Sequence, residues 1–283
     1  MRTTTVQFPG VGETFEVGVH HNGDRHISES IMMRGDWEPL ETAVISRLVN
    51  AQDLVVDAGA NLGWYTLLAA ASGATVVAFE PMPANAMLLR SNVDRNGFAA
   101  LVEIHESALG HAAGEAVLSL SIDNQGDHRL VTASGSRSTV SVKVQSLDDV
   151  LDGRRPTLVK LDTQGSEVAI LSGGRTGWAP SEGLQPVTLV VEFWPYGLAQ
   201  CGSSVDELLV LLSELLPLTH RCFEIVEWRN GPAELTIEEL RGFASRGGYT
   251  VKAKGFTNLL VLPNDRLTEV GDFFLDPQTT KLS

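Results

Sequence analysis

The sequence predicts an α/β protein in which helices cover both faces of a mostly parallel sheet, and three observations carry that expectation. An apolar run, Leu54-Val-Val56, breaks at Asp57 into a turn holding Gly59 and Gly63, then resumes as a helical pattern through Leu67, Leu68 and Ala71. A second run, Val76-Val-Ala-Phe79, follows at a fixed remove and closes on Glu80. Further apolar runs recur at 158–162 and 187–193, each with a helical pattern after it. Apolar strands that alternate with helices read as βαβ units, because a parallel sheet is buried on both faces.

The elements follow in order. Residues 3–20 alternate loosely, with Val6, Phe8, Val11, Phe15, Val17 and Val19 apolar, the pattern of a β-hairpin ahead of the main fold. His20, His21 and His26 lack regular ligand spacing and read as a polar turn. Helices are expected over 28–34 and 38–49, the second placing Leu40, Ala43, Val44, Arg47 and Leu48 near one face. Residues 1–50 thus form a β/helical cap packed on a core of 51–283, within one compact domain.

The core begins with strand 54–58, helix 62–72, strand 75–79 and helix 83–96. Pro81 and Pro83 bar an earlier start to that last helix, and Asn96-Gly97 closes it. Strand 102–107 comes next, with His105 a packed or edge residue. Residues 115–122 and 139–146 alternate apolar and polar and read as an inserted antiparallel hairpin. Its polar loop, 124–138, carries Asp127, His128 and Arg129, which either contact substrate or form a surface connection. Strand 158–162, helix 166–173, strand 187–193 and helix 204–216 follow. Thr236-x-x-Glu239 is a capping box for helix 237–245, and strands 222–228 and 257–262 complete the sheet.

Composition narrows the class. At 283 residues, 43% apolar and 20% charged, the chain is an ordinary globular protein. A net charge of −14 without a basic stripe excludes a phosphate-led nucleic-acid partner. Cys201 and Cys222 have no metal-like spacing, so a reduced, cytoplasmic protein is expected. The N-terminus has no apolar core of a secretory signal, and the stretch 208–218 is too short and too polar to span a bilayer. A small-molecule substrate is therefore expected, with no membrane partner, and a homodimer is left open.

The glycine turn chooses the ligand. Its pattern is Asp57-x-Gly59-x-x-x-Gly63, not the G-x-G-x-x-G of pyrophosphate-binding turns, and no Lys follows Gly63 as in a phosphate-cradling loop. Glu80 lies about 20 residues past the turn, where a carboxylate meets the hydroxyls of a ribose. An acidic turn suits a nucleoside without phosphates and with positive charge, such as S-adenosylmethionine.

At these residues the sequence resembles the FkbM-type S-adenosylmethionine-dependent methyltransferases. The resemblance covers Ile27-Ser-Glu-Ser-Ile31, Gly35-Asp-Trp-Glu-Pro39, Val55 to Thr66, and Ala78-Phe-Glu-Pro-Met-Pro83 with Asn85, Asn92 and Asn96-Gly97. It continues through Ala108-Leu-Gly110 and Val159-Lys-Leu-Asp-Thr-Gln-Gly-Ser-Glu167, roughly residues 25–175 in all. It implies a class I methyltransferase fold with a Rossmann-like seven-stranded sheet, S-adenosylmethionine as cofactor and S-adenosylhomocysteine as product. The acceptor implied is a hydroxyl on a small molecule, sugar or natural product. The N-terminal helices would roof the cofactor, with Glu38 near its amino group. Cofactor contacts would come from Asp57, Gly59, Ala60, Asn61, Gly63, Tyr65 and Thr66 around the turn. Glu80, Pro81, Asn85, Ser107, Ala108 and Asp162 would supply the rest.

Methyl transfer to an alcohol needs a nucleophile held in line and a group to take its proton. Ligands of open α/β sheets bind at the carboxyl ends of strands, which makes Asp162, Glu167 and Glu192 candidate bases. Lys160, two residues before Asp162, can pair with it or orient substrate. Alternatively, Asp162 and Glu167 only cap the following helix. Asp162 and Glu192 can also hold a hard cation such as magnesium, but no third ligand is evident, so metal dependence is not favoured. N-methylation of an amine or guanidinium remains open. An NAD-dependent oxidoreductase is disfavoured by the missing third glycine and by the lack of a Tyr-x-x-x-Lys pair. A non-catalytic scaffold on the same fold is disfavoured by the intact Asp57, Gly59, Gly63, Glu80 and Asp162.

Overall fold

The computed structural model describes residues 1–21, 24, 26–121, 124–130, 138–180, 186–216, 219–226, 231–245 and 255–273. The chain opens with the expected hairpin, β1 (Arg2–Gln7) against β2 (Thr14–Val19), with Arg2 opposite Val19 and Gln7 opposite Thr14. Helices α1 (Ile27–Arg34) and α2 (Pro39–Leu48) follow, the second starting at the proline whose fixed φ suits a first helical turn. Then come β3 (Leu54–Ala58), α3 (Trp64–Ala71), β4 (Thr75–Phe79), α4 (Pro83–Arg95) and β5 (Val102–His105).

The inserted region consists of β6 (Ala108–Gly110), β7 (Gly114–Ser119), β8 (Arg129–Leu130) and β9 (Thr139–Ser146), and leads into α5 (Leu147–Leu151). The core resumes with β10 (Leu158–Leu161), α6 (Glu167–Ser172), α7 (Arg175–Trp178) and β11 (Thr188–Phe193). It ends with α8 (Pro195–Gln200), α9 (Val205–Ser213), β12 (His220–Ile225), β13 (Ala233–Leu235), α10 (Ile237–Ser245) and β14 (Thr257–Pro263). The Thr236–Glu239 capping box is formed: the Glu239 N–H donates to Thr236 Oγ1 at 3.2 Å, and the Thr236 N–H to Glu239 Oε2 at 2.7 Å.

The main sheet has the order β13-β12-β14-β11-β10-β3-β4-β5. Strands β5, β4, β3, β10 and β11 run parallel, and β14 is antiparallel between β11 and β12. Seven strands match the expectation. The eighth, β13, is a three-residue edge piece on β12 that no sequence pattern announces.

Alternation within each strand builds two cores. Val55, Val76, Ala78, Leu158 and Val190 join α3, α4 and the N-terminal hairpin on one face. Val56, Val77, Phe79, Val159, Leu161 and Val191 join α6 and α9 on the other. Each fully buried Val, Leu or Phe contributes roughly 1.5–3 kcal/mol by leaving water. The strands must therefore sit in the middle of three layers.

Two expectations are corrected in detail. The strand expected over 102–107 ends at His105, and the chain crosses from the main sheet into a separate four-stranded sheet of order β6-β9-β7-β8. Ser107 at the crossing donates its hydroxyl to Gln145 Oε1 on β9 at 2.7 Å, which draws the chain to its new partner. The expected hairpin is present as antiparallel β7 and β9, enlarged by β6 and β8 on either side. Ile122, residues 131–137 of its loop and residues 227–228 of the last helix-flanking strand lie outside the described residues. His105 stacks on Phe79 at 4.9 Å along the sheet edge.

The hairpin is fastened to the core through Asn92 on α4, which is fully buried. Its Oδ1 accepts the Gly18 N–H at 2.7 Å, and its Nδ2 donates to Gly18 O at 3.0 Å and to Leu62 O at 2.8 Å. Asn92→Ala strands these backbone groups away from water and should lower the unfolding free energy by about 2–4 kcal/mol. Chemical denaturation measures it; an unchanged midpoint would mean that the hairpin docks without Asn92.

Candidate active site

The site is built at the carboxyl ends of β3, β4, β10 and β11, where the parallel strands release their loops. After β3 the chain turns sharply, and Gly59 and Ala60 both donate their N–H groups to Phe79 O at 3.0 Å. Gly59 has φ +83°, and a Cβ there would lie 2.0 Å from the carbonyl oxygen of Asp162. Only glycine lets the turn pass this close to the end of β10. Gly63, at φ +96°, plays the same part between α3 and α4, where a Cβ would meet Leu89 at 2.5 Å.

A cleft of about 420 Å³ opens beside this turn. Gly59, Ala60 and Asn61 line it from the turn, Glu80 and Pro81 from the end of β4, and Asn85 from α4. Ser107 and Ala108 line it from beyond β5, Glu38 and Tyr65 from the N-terminal side, and Lys160, Asp162 and Glu192 from the ends of β10 and β11. Four expected site residues lie beneath this surface instead. Asp57 is buried, with its Oδ2 accepting the Thr66 hydroxyl at 2.6 Å, so the pair braces the turn from below. Gly63 opens α3. Glu167 sits behind the loop after β10, its Oε1 accepting from Thr163 N at 3.1 Å, Thr163 Oγ1 at 2.9 Å and Gly165 N at 3.2 Å. That is a positioning role for Glu167.

Glu80 is the hub of the nucleoside half. Its Oε2 accepts the Asn61 N–H and its Oε1 the Met82 N–H, each at 2.8 Å. Burial pushes its carboxyl up to about 7 against these hydrogen bonds. Asn61 Oδ1 beside it is buried without a hydrogen-bond partner. A ribose diol donating to Glu80, with a further ligand N–H or O–H for Asn61, fits this set.

The other half is a cluster of carboxylates around one ammonium. Lys160 Nζ lies 3.3 Å from Glu41 Oε1, 3.2 Å from Asp162 Oδ2 and 4.5 Å from the centre of the Tyr65 ring. Burial opposes its charge, but the surrounding carboxylates of Asp162, Glu41, Glu38 and Asp57 hold the ammonium well above its ordinary range. Glu38 accepts the Tyr65 hydroxyl at 2.8 Å, and burial, followed by the Glu41 charge, raises its carboxyl to about 8. Gln164, at φ +59°, donates from one amide nitrogen to Asp162 Oδ1 and to Glu192 Oε1, both at 3.0 Å. Burial, then the charges of Asp162 and Glu167, raise Glu192 well above the usual carboxylate range, favouring its neutral acid. The amide occupies the gap in which a cation between the two carboxylates would sit. Among the described residues no cluster has the ligands to hold a metal.

Sequence reasoning missed Glu41 and Gln164. Glu41 reads as an ordinary acid in a first helical turn, and Gln164 as one position of a loop. Only the fold brings them to Lys160 and Glu192.

The strand order, the acidic glycine turn and Glu80 beside a nucleoside-sized cleft define a class I S-adenosylmethionine-dependent methyltransferase. The sequence profile of the methyltransferase FkbM domain matches residues 57–216, more than half of the chain. The chain belongs to the FkbM methyltransferase family. Among curated proteins no sequence matches it. It is similar in structure to methyltransferase FkbM from Methylobacillus flagellatus, at 17% identity and TM-score 0.45 over 75% of this chain, which spans 44% of that one. It is similar also to an S-adenosylmethionine-dependent methyltransferase from Agrobacterium tumefaciens, at 14% identity and TM-score 0.44, over 92% of this chain and 69% of that one. A third is an S-adenosylmethionine-dependent O-methyltransferase from Thermotoga maritima, at 12% identity and TM-score 0.40, over 83% and 69% of the two chains. No helix among the described residues is long and apolar enough to cross a membrane.

With Glu80 as the ribose acceptor, stability and cofactor binding are expected to run in opposite directions with pH. Folded Glu80 holds its proton to about pH 7, unfolded to 4.5, so its contribution to stability is complete below 4.5 and is lost as pH rises to 7. Ribose hydroxyls donate to the ionised form. Affinity for S-adenosylhomocysteine, measured calorimetrically, should therefore fall by up to about tenfold per pH unit below 7. Glu80→Gln should bind weakly and lose that slope; a slope that persists in the variant would assign it to another group.

Proposed function

We propose that this methyltransferase methylates a hydroxyl of a small molecule, with Asp162 as general base and Glu192, in its neutral form, orienting the acceptor. The reading rests on one observation above all. Asp162 reaches the cleft with its side chain 30% exposed, while Lys160 and Gln164 hold its two oxygens from behind. Each carboxylate oxygen keeps a second lone pair for a substrate proton. Beside it Glu192 Oε2 is buried without a hydrogen-bond partner, and on the neutral acid that oxygen carries a donor for the acceptor's oxygen.

Glu80 and Asn61 fit the ribose, Ser107 and Ala108 the adenine edge, and Glu38 the amino group, so bound S-adenosylmethionine would supply an electrophilic methyl on a sulfonium. The chain's residues then do two things. The Gly59 turn and the end of β10, which approach each other closely, would hold the donor and the acceptor, and such orientation alone supplies several kcal/mol. Asp162 accepts the hydroxyl proton as the C–O bond forms and the C–S bond pair returns to sulfur.

Incubation with methyl-labelled donor and a panel of hydroxyl and amine acceptors, read by mass spectrometry, tests the reaction. Label should appear on oxygen, and Asp162→Asn should lower kcat by roughly 10²- to 10⁴-fold. Label found on nitrogen alone, or an Asp162→Asn enzyme of undiminished kcat, would refute the assignment.

A further inference from the structure

We propose that the acceptor carries an anionic group of carboxylate or phosphate type beside its hydroxyl, and that Arg129 binds it. This rests on the acceptor-end reading given above and names its substrate class. Residues 124–130 of the inserted sheet run consecutively along the cleft wall. The segment is anchored at two points: Ser119 and Leu118 of β7 pair with Arg129 and Leu130, and Cys201 Sγ at the end of α8 donates to Leu130 O at 3.0 Å.

The Arg129 guanidinium packs over the Trp194 ring at 4.7 Å and the Tyr196 ring at 5.5 Å. Trp194 follows Glu192 by two residues, so the stack lies at the acceptor end. Arg129 Nε and Nη2 both approach a single oxygen, Asp127 Oδ1, at 2.6 Å. Its Nη1 makes no hydrogen bond to any described residue, although the side chain is only 13% exposed. Stacking on two rings fixes the plane of the fork and strips it of water, which strengthens an added charge-assisted hydrogen bond.

The charged groups of the cleft place its one open cationic donor among the described residues at this end. Lys160 and Arg129 are the only Lys or Arg among the described residues that line the cleft. Lys160 is 3% exposed and enclosed by Glu41, Asp162 and Tyr65. In a chain of net charge −14, a guanidinium in an acidic cleft that keeps Nη1 open beside its Asp127 pair has a use if the ligand brings its own negative charge. Asp127, held on the same segment, keeps the arginine in place before the acceptor arrives.

Three probes that share a triol or diol skeleton test this: glycerol 3-phosphate, glycerate and glycerol. Each is titrated by ligand-observed NMR into wild-type protein, alone and saturated with S-adenosylhomocysteine. The two anions should bind at least about tenfold tighter than glycerol, and the gap should narrow with added salt. In Arg129→Gln the preference should vanish, in Arg129→Lys it should be partial, and in Asp127→Asn it should grow, with S-adenosylhomocysteine affinity close to wild type throughout. Equal binding of all three probes to the wild type overturns the proposal, as does an undiminished preference in Arg129→Gln. Failure of wild-type protein to bind S-adenosylhomocysteine would instead overturn the cofactor reading, and the probe contrast measured without it would still stand or fall alone.

Discussion

The enclosure of Lys160 holds the molecule's three parts together. Its stem rises from the middle of the sheet on β10, Glu41 reaches it from the N-terminal helices, and Asp162 reaches it from the loop that faces the cleft. A buried ammonium without these partners would be severely destabilising, and the carboxylates without the ammonium equally so. Each group is tolerated only because the others are placed, so cap, sheet and cleft cannot be assembled independently. The value of such an arrangement is positional. It leaves Asp162 with one orientation relative to Gly59, whose backbone touches the same loop.

A layered logic follows from that centre. The half of the cleft proposed for the nucleoside is made of backbone and two acceptors, Glu80 and Asn61, which the parallel strands and one tight turn deliver with little freedom. The acceptor half is made of side chains from separate elements: Gln164 from a left-handed loop position, Glu192 and Trp194 from the end of β11, Arg129 from the inserted sheet. Rigidity in the first half and variety in the second suit an enzyme in which the donor is fixed and the acceptor is particular.

The sequence made the first half legible and much of the second illegible, for physical reasons. Buried parallel strands such as Val55–Val56 and Leu158–Leu161 are short apolar runs, and the constraint that both their faces be covered writes itself into every residue. Gly59 and Glu80 were readable because their spacing along one βαβ unit is their spacing in space. Glu41 and Gln164 were not, because their partners lie on distant elements and their own neighbourhoods look like a helix start and a polar loop. The second sheet was half readable: β7 and β9 alternate visibly, whereas β6 and β8 are three- and two-residue pieces stabilised only by what they join. Asp57 and Glu167 show the reverse case, motif residues that lie off the cleft. Their position in a motif marks them as chemical, yet their hydrogen bonds make them braces for the turn and the loop.

The crossing at Ser107, where the chain leaves the main sheet, has an evolutionary corollary. The inserted sheet leaves the edge strand β5 through one short crossover and rejoins the core through α5, while Glu80 follows the end of β4 in the main sheet. Substitutions along β7 and β8 can re-cut the wall proposed to meet the acceptor while Glu80 and the Gly59 turn, which belong to the main sheet, keep their places. A scaffold divided in this way is open to diversification: descendants of one ancestor can acquire new clients by redrawing a single attached panel, without reinventing the reaction.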